Sequence, residues 1–283
     1  MRRTFAEVLR EGKVDIRNEY EKLYDIMYGR NFENGSTSLH DIIADSFASF
    51  YFRGTCLSID EFDKKYGFDF EENPNGTEVE YLVSFCEYFQ NMLVGLQCNP
   101  ENNFLGFSSV NTAFLMEQIR KVIDAIGYMS ASDDGFTIYV EKSPGSIAVS
   151  ESEMIPKELS YKVLEYNHHS LHGEIEKKKQ ILLKLAELLE PEREKLREAN
   201  KSLCSDVFYA FNNLNLRHNN INKSDLAKYK LTIASMDKNV LEKWYDEVYQ
   251  MCLLCFLELE QAERKMKFDK LKAAIEEDAT YEV

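Results

Sequence analysis

A chain of 283 residues, 44% hydrophobic and 29% charged, carries enough apolar side chain to bury a core, and its length allows either two subdomains or one elongated helical body. This composition excludes a disordered chain, and the longest apolar runs, such as 251–257, fall far short of the roughly 20 residues that cross a bilayer, so no membrane partner is expected. The formal net charge of −15 works against sequence-independent binding to nucleic acid, which is driven by clustered Lys and Arg, so any RNA contact has to be local.

Arg2 and Arg3 are followed by Glu7, Glu11 and Asp15, which break the basic-then-apolar order of a secretion signal, so a cytoplasmic location is expected. The six cysteines are scattered among apolar residues and are expected to be reduced and buried. Thr4 and Glu7 form a capping-box pair ahead of a first helix to about Tyr28, with Leu9, Ile16, Tyr20, Leu23 and Met27 near one face. A second helix carries Leu39, Ile42, Ile43, Phe47 and Phe50 and is expected to end near Gly54. Ser58 with Glu61 caps a short third helix, and Asn73 to Gly76 form a loop. Thr77 with Glu80 caps a fourth, running to about Leu96, and a fifth spans about Ser108 to Gly127.

From Gly135 the period changes. Phe136, Ile138 and Val140 alternate with Thr137, Tyr139 and Glu141 before Ser143, Pro144 and Gly145 turn the chain into Ile147 to Val149, which predicts a hairpin. Helical rhythm resumes after Pro156, with Ile181, Leu185 and Leu188 on an inward stripe, a break at Pro191, and a last long helix from about Asp237. The expected fold class is therefore mainly α, a helical bundle with a single β-hairpin near the middle of the chain. The expected division is an N-terminal helical part, 1–130, and a C-terminal part, 131–283, that opens with the hairpin.

Four clusters carry possible chemistry. Cys252 and Cys255 have the spacing of half a zinc site, but leucines separate them and no second pair follows, so core packing is the expectation. Glu165, His168, His172 and Glu176 would align along one helical face; His168 and His172 are a candidate metal pair, set against a solvated polar face. Lys177 to Lys179, continued by Arg193, Lys195, Arg197 and Lys201, form either an exposed helix paired with its interleaved glutamates or an RNA-facing stripe.

The fourth is Phe211-Asn212-Asn213-Leu214-Asn215-Leu216-Arg217-His218-Asn219-Asn220. Asparagine competes for backbone hydrogen bonds, so five of them around an Arg-His pair weaken a helix unless their amides act elsewhere. One reading is a helix C-terminus, where Asn tolerates the left-handed conformation and Arg and His favour the last turn. The other is phosphate chemistry, with Arg217 as a forked cation and His218 as a proton-transfer group.

An Arg and a His where one helix gives way to a loop, in a helical C-terminal part preceded by a hairpin, resembles the HEPN superfamily, in particular the domains of bacterial abortive-infection proteins. The resemblance covers about Gly135 to Lys272. It implies a homodimeric, metal-independent RNA-cleaving effector of antiphage or toxin-type defence, needing no cofactor, in which a ribose 2′-hydroxyl attacks the adjacent phosphate. His218 would be the general acid or base and Arg217 would stabilise the developing charge, while Asn213 and Asn219 or Asn220 would orient phosphate or imidazole. The family motif reads Arg-x-x-x-x-His or slightly longer, with at least four residues between the two; here the His follows the Arg directly. The rival expectation is a non-catalytic helical protein that binds a protein partner, or a subunit of a defence complex.

Overall fold

The computed structural model describes residues 14–32, 35–74, 76–98, 110–133 and 135–280. The chain divides into two compact units, 1–141 and 142–283, each with its own apolar core. The architecture is mainly α with one two-stranded antiparallel hairpin.

In the N-terminal unit, α1 (Ile16–Tyr28) starts at Asp15, whose carboxylate accepts the Asn18 N–H, and it buries Tyr20, Leu23 and Met27. The Thr4 and Glu7 pair lies outside the described residues. A full capping box between Ser38 and Asp41 opens α2 (Leu39–Ser46), and a 3-10 turn, Phe47–Ser49, closes it well before Gly54. Ser58 caps α3 (Ile59–Tyr66), but the Glu61 carboxylate accepts from Leu57 N–H rather than from the cap residue. The spine of the unit is α4 (Val79–Cys98), which buries ten residues between Leu82 and Leu96 and keeps Glu87 and Asn91 half-buried toward the hairpin. Gly95 admits the Phe50 ring, since a Cβ there would stand 2.5 Å from it. Last come α5 (Thr112–Ala125), capped by Asn111, and the hairpin.

The hairpin differs from expectation in its pairing. The partner of β2 (Phe136–Glu141) is the preceding segment β1 (Tyr128–Asp133), with Tyr128 opposite Glu141 and Gly135 in the turn at φ 86°. Ser143 and Pro144 do not form a turn between strands. The Ser143 hydroxyl accepts the Ser146 N–H, and Pro144 fills the first position of α6 (Pro144–Ser150), where a missing N–H has no helical acceptor to lose. The hairpin also belongs to the N-terminal unit: Asn91 on α4 bonds both the carbonyl and the N–H of Thr137, and Glu87 accepts from Tyr139 N–H. The division thus falls after the hairpin, at 141, rather than before it near 130.

The C-terminal unit packs α7 (Lys157–Glu165), α8 (Ile175–Leu189), α9 (Arg193–Ala199), α10 (Lys201–Asn213) and a short α11 (Leu231–Ala234) with the 43-residue α12 (Lys238–Thr280). Leu241, Tyr245, Val248, Tyr249, Cys252, Cys255, Phe256 and Leu259 give α12 an inward stripe. Beyond Leu259 the helix leaves the core, and every described side chain from Glu263 to Glu277 is exposed. No helix of the described residues is long and apolar enough to cross a membrane.

Candidate functional site

The asparagine-rich segment closes on itself. α10 ends at Asn213, and two residues later Asn215 takes φ 58°, the one non-glycine residue with positive φ among the described residues. That conformation is held by a reciprocal bond pair: Asn215 N–H donates to Asn220 Oδ1 at 2.8 Å, and Asn220 N–H donates to Asn215 Oδ1 at 3.1 Å. Asn220 Nδ2 donates to the carbonyls of Asn212 (3.2 Å) and Lys228 (2.8 Å), and its own carbonyl accepts from Lys230 N–H. With 1% of its surface exposed, Asn220 ties the end of α10 to the far side of the 214–230 loop. Asn213 Nδ2 turns back to the Tyr209 carbonyl within its own helix, and the Asn219 side chain is exposed.

Arg217 serves a neighbouring helix end. Its Nη2 donates to the carbonyl of Ala186 at 3.0 Å in the last turn of α8, its Nη1 is ion-paired with Glu190 at the C-cap, and its guanidinium lies over the Phe208 and Phe211 rings at 5.5 and 5.0 Å. The fork that would hold a phosphate is thus already engaged by a carboxylate, a carbonyl and two aromatic faces. His218, half-buried, makes no side-chain hydrogen bond, ion pair or ring contact among the described residues. The segment brings Asn212, Asn215 and Asn220 together around a loop and joins Arg217 to α8.

The His168 and His172 stripe does not exist as a helical face. α7 ends at Glu165, His168 and His172 flank a 3-10 turn (His169–Leu171), and α8 begins only at Ile175. His168 Nδ1 accepts from Ser170 N–H at 3.1 Å, which makes it a cap for that turn. Cys252 and Cys255 lie in the core, and burial pushes the Cys255 thiol up to about 12, with Cys252 moved in the same direction. Neither supplies a thiolate near neutral pH.

The lysine run conceals a polar cluster. Lys177 pairs with Glu174 on the surface, but Lys178 is 4% exposed and its Nζ meets Glu242 at 2.7 Å and Asp246 at 2.8 Å on α12, with the Tyr166 ring 5.5 Å below. Tyr166 donates to Asp246 and stacks on Tyr249, whose hydroxyl reaches Ser146 and the Val163 carbonyl. Burial works to raise the Glu242 carboxyl, but the Lys178 and Gly173 donors outweigh it and hold the pKa below the ordinary value. A sequence signal for this cluster was present. Lys178 stands at the head of the inward stripe Ile181, Leu182, Leu185, Ala186 and Leu189, and its charge marks a buried partner.

A second unanticipated cluster lies in the N-terminal unit. Tyr88 hydroxyl donates to Asp63 Oδ2 at 2.9 Å, while Asp63 Oδ1 and the Tyr28 hydroxyl are buried without a hydrogen-bond partner among the described residues. Burial pushes the Asp63 carboxyl up to about 7. No family model, no curated protein and no solved structure matches this chain.

Proposed function

We propose that this chain is a non-catalytic, partner-binding helical protein in which the Arg-His-Asn segment is scaffold. The observation that carries the reading is the commitment of Arg217. Releasing its guanidinium for a phosphate would break a charge-assisted bond to Ala186 and an ion pair to Glu190, and would uncover two aromatic faces. The exposed half of α12 supplies what a binding protein needs, since Met266, Phe268, Leu271 and Ile275 are 52–60% exposed and belong to neither core among the described residues.

One observation favours a second reading, HEPN-like RNA cleavage: His218 is the one histidine within the segment and its ring nitrogens are not engaged by the described residues. Incubation of the full chain with total RNA, in EDTA and in magnesium, separates the two. The proposed function predicts intact RNA in both buffers. Cleavage that His218→Ala abolishes without altering the fold would replace it with the second reading.

A further inference from the structure

We propose that the exposed half of α12 docks an acidic amphipathic helix of a partner protein; this rests on the partner-binding reading above. Phe268, Leu271 and Ile275 are 56%, 52% and 58% exposed and follow one another at intervals of three and four residues, the spacing of a coiled-coil seam. Seven residues before Phe268 and Leu271 the same line holds Gln261 and Arg264, so the apolar seam begins at Phe268. At 100° per residue Phe268 points directly away from Leu259, nine positions before it, and lies opposite most of the stripe that α12 buries; Leu253 and Leu257, on the seam's side of the helix, also pack into the core, so the uncovered seam is confined to the stretch beyond Leu259. From Phe268 to Ile275 the apolar side of the helix is covered by none of the described residues.

Charge selects the occupant. In a chain of net charge −15, the stretch from Arg264 to Lys272 holds five cations, Arg264, Lys265, Lys267, Lys270 and Lys272, against a single carboxylate, Asp269. Lys265 and Lys272 border the seam on one side and Lys267 on the other, the places that set partner choice between paired helices. Arg264 is paired with Glu260 and Lys272 with Asp269, whereas Lys265 and Lys267 have no ion pair among the described residues. A second copy of this helix, parallel or antiparallel, would bring lysine rows face to face. An anionic lipid surface fits less well, because the apolar stripe is narrow and Glu276 and Glu277 directly follow Ile275. A helix with an apolar seam edged by Glu meets both the stripe and its borders.

The experiment titrates the full chain with two synthetic helical peptides that share a Leu and Ile seam, one edged with Glu and one with Lys, and with phosphatidylserine vesicles. The Glu-edged peptide is expected to bind about tenfold or more tighter than the Lys-edged one, and to weaken as salt rises. Leu271→Glu with Ile275→Glu abolishes that binding, and Lys265→Glu with Lys267→Glu and Lys272→Glu reverses the preference. All five positions are exposed, so unchanged thermal unfolding certifies that the variants are folded. Equal binding of both peptides, binding of neither, preference for vesicles, or self-association lost in Leu271→Glu each overturns the inference. RNA cleavage is read separately: its appearance overturns the proposed function, while peptide failure with intact RNA overturns this inference alone.

Discussion

Replacing Asn220 by Ala removes three side-chain hydrogen bonds at a site with 1% exposure: two donated to the Asn212 and Lys228 carbonyls and one accepted from Asn215 N–H. Each bond contributes about 1 kcal/mol net, and a buried group left without a partner costs about 1–3 kcal/mol. Lys228 is exposed, so its carbonyl regains water, whereas the Asn215 N–H, on a residue 8% exposed, does not. The expected loss is about 3 kcal/mol, with Asn220→Asp worse because a carboxylate would face two carbonyls. Asn219→Ala, one residue away with an exposed side chain, is expected to stay within about 0.5 kcal/mol of the wild type. Equilibrium urea unfolding followed by fluorescence reads the C-terminal unit selectively, because the only tryptophan, Trp244, lies there. Equal midpoints for Asn220→Ala and Asn219→Ala would refute the assignment of Asn220 as the tie of this loop.

Two further expectations concern charge. Asp63 has its pKa raised on folding from 3.8 to about 7, so the neutral form is the one the fold favours; its contribution is full below pH 3.8 and is lost as pH rises through 7. Hydrogen exchange of α4 should therefore speed up from pH 5 to pH 8 beyond the intrinsic chemical rate, and Asp63→Asn should abolish that excess; an unchanged profile in the variant contradicts the assignment. Lys178→Met leaves Glu242 and Asp246 without their cation and is expected to cost about 3 kcal/mol, somewhat softened because the Asp246 side chain is 46% exposed. Adding Glu242→Gln should restore part of that loss in the same urea assay, and no restoration would show that packing rather than charge sets the cost.

Helices were legible where the apolar period is strong, as for α1, α4 and the start of α12; of the expected caps, Ser58 is seen to accept from its helix, whereas α1 is capped by Asp15, which no capping pattern in the sequence singled out. The hairpin was half legible: β2 alternates plainly, but β1, with Ser130, Ser132 and Asp133 around Ala131, has no strong strand signal, and the Ser-Pro pair that read as a turn is equally the start of a helix. The His168 stripe failed because periodicity alone does not show that a helix breaks, and the 3-10 turn with Gly173 at φ 80° falls between its members. Of the candidate site, the structural alternative for the asparagines followed from their chemistry. That Arg217 would reach the end of α8 rather than its own helix did not, since the two lie 31 positions apart along the chain and only packing joins them. The Lys178 cluster was half legible: a lysine at the head of the inward stripe of α8 signals a buried partner, but that the partners are Glu242 and Asp246 of α12 follows only from packing.

The most direct test of the central claim, that Arg217 is scaffold, compares the unfolding free energies of Arg217→Ala and His218→Ala in the Trp244 assay. The charge-assisted bond to Ala186, the half-exposed pair with Glu190 and two cation–π contacts together predict a loss of about 2–3 kcal/mol for Arg217→Ala, against less than about 0.5 kcal/mol for His218→Ala. An Arg217→Ala variant as stable as the wild type would contradict the account and return the guanidinium to the pool of groups free for a ligand.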